Sequence, residues 1–263
     1  LKDALRYSVF PGGARLRPKL CLAVAWACGE DEPRVVDGAA AAIELLHCAS
    51  LVHDDLPCFD NADERRGKPS VHKIYGEQLA VLSGDALIVL AFEALAQGAA
   101  RAPHRLAALS TIVSRATGAA GGICAGQAWE CEPEVDVSRY HRAKTGALFS
   151  AATMAGAAAC AIPYEPWRAL GELVGEAYQV ADDIRDVVCN AETLGKPVGV
   201  DEALMRPSAC RELGLQGAID KLNNLVERAV DSIPACPRLQ ELRGLVRQEA
   251  LRFLPKELAQ AAA

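Results

Sequence analysis

Two acidic clusters, far apart in the chain, hold most of the chemistry the sequence offers. The first reads His53-Asp54-Asp55-Leu56-Pro57-Cys58-Phe59-Asp60-Asn61-Ala62-Asp63-Glu64-Arg65-Arg66, the second Gln179-Val180-Ala181-Asp182-Asp183-Ile184-Arg185-Asp186. Asp182 and Asp186 are four apart and share one helical face. Like charges at that spacing repel, and each cluster closes a strongly apolar helix. Such an arrangement is tolerable where a divalent cation bridges the carboxylates. Donors made only of oxygen point to Mg²⁺, which takes carboxylates together with substrate phosphate. Asp54 and Asp60 are six apart, which a regular helix would set about 120° from each other. Pro57 has no N–H to donate, so a helix end or bulge is needed to swing Asp60 back beside Asp54. Arg65 and Arg66 follow at once. The planar guanidinium suits phosphate oxygens, and two of them beside metal-binding acids point to a diphosphate. A single acidic run is more often a solvated face. Two of them, each ending an apolar helix and one followed by Arg-Arg, argue instead for a metal–diphosphate site.

The elements that position these residues are helices. Alternating β-branched and aromatic runs are almost absent, while Ala, Leu, Glu and Arg recur at helical spacing. The pattern predicts helices over approximately 18–29, 34–56, 76–98, 103–127, 137–159, 165–189 and 215–232. Joints containing Pro or Gly separate many of them: Pro11-Gly12-Gly13, Gly67-Lys68-Pro69, Pro103, Pro163 and Gly195-Lys196-Pro197. Neither a flexible linker nor a fixed-period repeat is evident, so one all-α domain over 1–263 is expected. Leu79 to Ala96 is long and apolar enough to suggest a transmembrane segment. Asp85 in its middle, Glu93 near its end and the lack of a flanking basic cluster favour a helix buried on most sides of a bundle, with no transmembrane segment.

Composition excludes other classes. With 51% hydrophobic and 24% charged residues, the 263-residue chain is neither disordered nor fibrous. Its net charge of −6, from 28 Lys+Arg against 34 Asp+Glu, argues against a nucleic-acid partner. Ten cysteines suggest a disulfide framework, but no C-x-x-C occurs. The closest repeats, Cys21/Cys28 and Cys124/Cys131, stand two helical turns apart, too far for a disulfide within a regular helix. Most lie among Ala, Leu and Val as small hydrophobes, and 1–263 offers no recognisable signal sequence, so a cytoplasmic location is expected, with a targeting segment before Leu1 the alternative.

In sum the sequence resembles the trans-isoprenyl diphosphate synthases over essentially its whole length. The resemblance rests on an ordered set: Gly12-Gly13-Ala14-Arg15-Leu16-Arg17-Pro18, Asp54-Asp55-x4-Asp60 with Arg65-Arg66-Gly67-Lys68-Pro69, Gly84-Asp85-Ala86-Leu87, Lys144-Thr145-Gly146-Ala147, and Tyr178-Gln179 before Asp182-Asp183-x2-Asp186. The four-residue gap in the first motif is similar to bacterial and plant farnesyl and geranylgeranyl synthases. The resemblance implies an isoprenoid-synthase bundle around a central cavity, and a homodimer of such subunits. It implies that isopentenyl diphosphate is condensed with an allylic diphosphate held through about three Mg²⁺ ions. Asp54, Asp60 and Asp182 would be metal ligands, supported by Asp55, Asp183 and Asp186. Arg65, Lys144 and Lys196 would hold the allylic diphosphate, and Thr145 and Gln179 would set oxygens near the developing cation. Arg17, His47 and Arg66 would form the isopentenyl diphosphate site. Read alone, His47 is an ordinary core histidine, but it lies seven residues before Asp54, nearly on the same face two turns away. Two positions depart from the pattern: Ala14 replaces a lysine that touches isopentenyl diphosphate, and Val200 stands where many members carry a second lysine.

Product length is expected to depend on the residues preceding the first motif. Ser50 lies one turn before Asp54, and Ala49 lies about 7.5 Å along the axis from it. Related farnesyl synthases place an aromatic at the Ala49 position, so alanine here leaves room for a fourth isoprene unit and implies geranylgeranyl diphosphate, C20. The alternatives are a farnesyl diphosphate synthase and a non-catalytic partner subunit, which the missing Ala14 lysine contact would fit but the six intact aspartates would not. A terpene cyclase is disfavoured, because cyclases replace the second aspartate motif and bind no second diphosphate.

Overall fold

The computed structural model describes residues 1–10, 12–132, 140, 142–188 and 208–252. The described helices are α1 (Lys2–Val9), α2 (Leu16–Cys28), α3 (Pro33–Asp54), α4 (Val71–Tyr75), α5 (Glu77–Gly98), α6 (Leu106–Thr117), α7 (Ile123–Trp129), α8 (Ala147–Ala159), α9 (Arg168–Val188), α10 (Ala209–Asp231) and α11 (Leu239–Leu251). Strand is confined, among the described residues, to a hairpin of β1 (Glu64–Arg65) and β2 (Lys68–Pro69), in which Arg65 pairs with Lys68. The all-α expectation holds.

At the centre is α8, whose sequence Ala-Leu-Phe-Ser-Ala-Ala-Thr-Met-Ala-Gly-Ala-Ala-Ala is buried from Leu148 to Ala159. Alanine loses no side-chain entropy in a helix and lets neighbours approach closely. Helices α2, α3, α6 and α9 all pack against it. The main core joins Ile43, Leu46, Leu95, Leu109, Leu148 and Met154 across α3, α5, α6 and α8. A second cluster ties α9 to α10 through Val180, Ile184, Leu222 and Leu225. These packings place the C-terminus of α3 and the C-terminal half of α9, with their aspartates, beside the turn that leads into α8.

Several boundaries differ from the sequence reading. The stretch 103–127 divides at Gly118–Gly122 into α6 and α7, because Gly118 and Gly122 are extended there. The short α1 and the charged α11 were not expected from the pattern, since both are short and polar on average. Helix α10 starts at Ala209, six residues earlier than expected. The expectation that 79–96 is buried on most sides is corrected. Only Ala80, Ser83, Gly84, Leu87, Ala91 and Leu95 of α5 are buried. Val81, Leu82, Ile88, Val89, Leu90 and Phe92 lie in solvent, Val89 being 67% exposed. By length and composition alone, α3 and the helical run Glu77–Arg101 could each cross a membrane. The nine cysteines among the described residues are all free.

Candidate active site

Helix α3 ends at Asp54, and the chain then turns back on itself. The Asp60 N–H donates to the Asp54 carbonyl oxygen at 3.0 Å, so the helix end brings Asp60 back toward Asp54. Asp60 is exposed beside it. Asp55 turns inward instead. It is 2% exposed and accepts from Arg65 Nε at 2.9 Å and from Arg65 Nη2. Burial pushes its carboxyl above the usual carboxylate range even against that guanidinium. The hairpin at Glu64–Pro69 delivers Arg65, whose Nη2 also lies 3.6 Å from Asp54 Oδ2.

Lys144 approaches Asp54 from the other side. It stands in a π-helical turn, Arg142–Gly146, and its ammonium lies 3.3 Å from Asp54 Oδ1 and 2.6 Å from Glu130 Oε1. Burial opposes its charge, but Asp54 and the Glu130 hydrogen bond outweigh that cost and hold it above the ordinary lysine range. The same turn packs against α9, so it joins the two acidic clusters. Asp182 is half-buried and accepts from Arg185 Nη2 at 2.8 Å, and Asp186 lies one turn on, also half-buried. Gln179 donates to Asp183 at 3.3 Å. Asp183 is buried and accepts the Ala209 N–H at 2.8 Å, so it anchors the start of α10. Thr145, Gln179 and Asp183 line one end of a cavity of about 1350 Å³ between α6, α8, α9 and α10.

The repulsion expected within each cluster is therefore relieved by Arg65, Lys144 and Arg185. Among the described residues, no three acidic, imidazole or thiol groups converge into a ready-made metal cage. Carboxylate oxygens nevertheless suit Mg²⁺, which completes its shell with phosphate and water. Asp54 Oδ1 fits that role, being buried and facing the Lys144 ammonium at 3.3 Å without a formed hydrogen bond.

A second, mainly basic site lies next to the first. Arg17 Nη1 is 3.4 Å from His47 Nε2, and its guanidinium stacks 4.3 Å from the Phe149 ring centroid. Its Nε is buried without a hydrogen-bond partner. Burial, then the charges of Arg17, Arg66, Arg65 and Arg15, hold His47 well below the ordinary histidine range. Arg66 Nη1 donates to the Gly12 carbonyl at 2.8 Å. Gly13, at φ 108°, is needed there, since a Cβ would stand 2.4 Å from that guanidinium. Arg15 does a different job. It pairs with Glu44 and the Val9 carbonyl, fixing the loop that presents Arg17, while Ala14 is exposed.

Ala49 is buried among Val52, Ala80 and Leu87, and Ser50 Oγ donates to the His47 carbonyl at 2.8 Å. Neither lines the cavity beside Thr145. Lys196 and Val200 lie outside the described residues. Glu130, Arg185 and Phe149 were not singled out from sequence. Arg185 was visible at i+3 from Asp182, whereas Glu130 stands 14 residues from Lys144 with no local spacing to reveal it.

Comparison with known proteins agrees with this geometry. Residues 1–239 match the polyprenyl synthetase family. A geranylgeranyl diphosphate synthase of Cereibacter sphaeroides is 56% identical over 98% of this chain and 90% of its own. One from Rhodobacter capsulatus is 53% identical over 97% and 88%. Among solved structures, a Helicobacter pylori geranyltransferase complexed with magnesium and isoprenyl diphosphate superposes with a TM-score of 0.82. It is 34% identical, covering 95% of this chain and 88% of that one.

Proposed function

Because the chain belongs to the polyprenyl synthetase family, we propose that it is a Mg²⁺-dependent trans-prenyltransferase condensing isopentenyl diphosphate with allylic diphosphates, with geranylgeranyl diphosphate as its main product. One observation carries this reading. Two anion sites adjoin, one mixing the aspartates with Lys144 and Arg65, the other built on Arg17, His47 and Arg66, where the nearby acid Glu44 is paired with Arg15. The first suits a diphosphate that arrives with cations, the second a diphosphate that arrives alone.

Asp54, Asp60 and Asp182 would hold the ions, about three when substrate is bound, with Asp55, Asp183 and Asp186 behind them. Bound Mg²⁺ supplies neutralisation of the diphosphate and stabilises its departure as pyrophosphate. Lys144 and Arg65, with Lys196, hold the allylic diphosphate as its C–O bond breaks. Thr145 and Gln179 turn oxygens toward the allylic cation that results. Arg17, His47 and Arg66 fix isopentenyl diphosphate so that its double bond attacks that cation, and a proton then leaves to pyrophosphate. Asp183 and Asp55, committed to Ala209 and Arg65, contribute by shaping the site. Purified protein should convert labelled isopentenyl diphosphate and an allylic diphosphate to a C20 product with Mg²⁺ and to none with chelator. Activity indifferent to chelator would overturn this reading.

The same reading places one domain over 1–263 in the cytoplasm as a homodimer. The exposed row from Val81 to Phe92 on α5 is the surface that pairing would cover. Light scattering at micromolar concentration should give twice the 27.8 kDa chain mass. A fully active monomer would refute the dimer.

Ala14 leaves the isopentenyl diphosphate site one cation short of the family pattern. Ala14→Lys should lower the KM for that substrate about tenfold, since a charge-assisted contact is worth ~1.5–3 kcal/mol. The allylic KM should move little. An unchanged isopentenyl diphosphate KM would show that Lys19 or Lys68 already fills the gap.

A further inference from the structure

The geometry points to Glu130 as the positioning residue that keeps Lys144 in place when Asp54 turns to a cation. This rests on the prenyltransferase reading, in which Asp54 binds metal and Lys144 the allylic diphosphate. In the structure a single ammonium serves two carboxylates, Glu130 Oε1 at 2.6 Å and Asp54 Oδ1 at 3.3 Å. With an Asp54 oxygen recruited to Mg²⁺, Glu130 is the carboxylate that still holds Lys144 among the described residues. That partner is itself fixed. Gln127 Nε2 donates to Glu130 Oε2 at 2.8 Å, and the Tyr140 hydroxyl donates to Oε1.

Helix α7 grips Lys144 twice. Gly126 lies so close that a Cβ there would come 2.8 Å from the Lys144 backbone nitrogen. Glu130 stands four residues on, on the same side of the chain, and takes the side chain. Backbone and ammonium are thus set by one rigid unit that contributes no metal ligand.

The charge on Glu130 has a second effect. It competes with Asp54 for Lys144 and so frees Asp54 for the cation. Without it, Lys144 would pair with Asp54 alone, and Mg²⁺ would have to displace that ammonium. Glu130 therefore tunes both the aim of Lys144 and the Mg²⁺ requirement of the site, without touching substrate.

The test compares wild type, Glu130→Gln and Glu130→Asp. Calorimetry follows inorganic pyrophosphate binding across a Mg²⁺ series, and steady-state assays give both KM values. Glu130→Gln should raise the half-saturating Mg²⁺ and the allylic KM about tenfold each, the effect of one charge-assisted contact, and leave the isopentenyl diphosphate KM within about twofold. Glu130→Asp should recover most of the loss. Wild-type behaviour in Glu130→Gln, or equal rises in both KM values, would overturn the role of Glu130 while leaving the prenyltransferase reading intact. Wild type whose pyrophosphate binding is indifferent to Mg²⁺ would overturn both.

Discussion

Asp54→Ala and Asp182→Ala are each expected to lower turnover at least ~100-fold with the fold intact, since one such transition-state contact is worth ~3 kcal/mol or more. The carboxylates at both positions are only partly exposed and sit among cations rather than in the apolar core. Repulsion between neighbouring aspartates would by itself make their removal stabilising without Mg²⁺. The structure argues against that gain, because Arg65, Lys144 and Arg185 already balance the charge. Lys144 keeps Glu130 and Arg65 keeps Asp55 when Asp54 is lost. The melting temperature should therefore barely change. Asp183→Ala should behave differently, lowering stability by ~1 kcal/mol through loss of the Ala209 anchor, in the way a lost helix cap does. Circular dichroism melts beside initial rates check all three. More than about a tenth of wild-type rate in Asp54→Ala would contradict a contact of that ~3 kcal/mol size.

Product length should be the next largest effect. Wild type is expected to make C20, and Ala49→Tyr to stop mainly at C15. Ala49 lies on α3 five residues before Asp54, and at 2% exposure it faces Val52, Ala80 and Leu87 between α3 and α5. A phenol ring there would fill the path proposed for the growing tail from Asp54 along α3. Overpacking would cost ~1–3 kcal/mol of stability, so product chromatography should be read beside a melting curve. The cavity beside Thr145 offers a competing floor, lined by Ile112 and Met154 and by neither Ala49 nor Ser50. Met154→Phe is the contrast. Unaltered C20 from Ala49→Tyr with shortened product from Met154→Phe would move the floor to α8.

Local spacing made part of the site legible. Asp182 and Asp186 fall one turn apart on α9, and the break expected around Pro57 lies where the chain turns Asp60 back to Asp54. His47 and Arg17, 30 residues apart, met as the family resemblance implied. What stayed hidden depended on partners distant in sequence. Asp183 caps a helix that starts 26 residues later, and Lys144 is shared with Glu130. Neither contact leaves a periodic trace. The fold shows the same division. Long apolar runs located α3 and α5 and an apolar stripe located α9, whereas the shorter, charged α11 was passed over. For α5, composition announced an apolar helix but not which side the subunit would cover.

The most direct test soaks crystals with Mn²⁺ and an uncleavable allylic thiolodiphosphate and collects anomalous scattering. Manganese peaks are expected at about 2.0–2.3 Å from Asp54 and Asp182 oxygens, bridging them to the diphosphate, with Lys144 on a diphosphate oxygen. A diphosphate bound with no manganese at either aspartate would contradict the shared metal site.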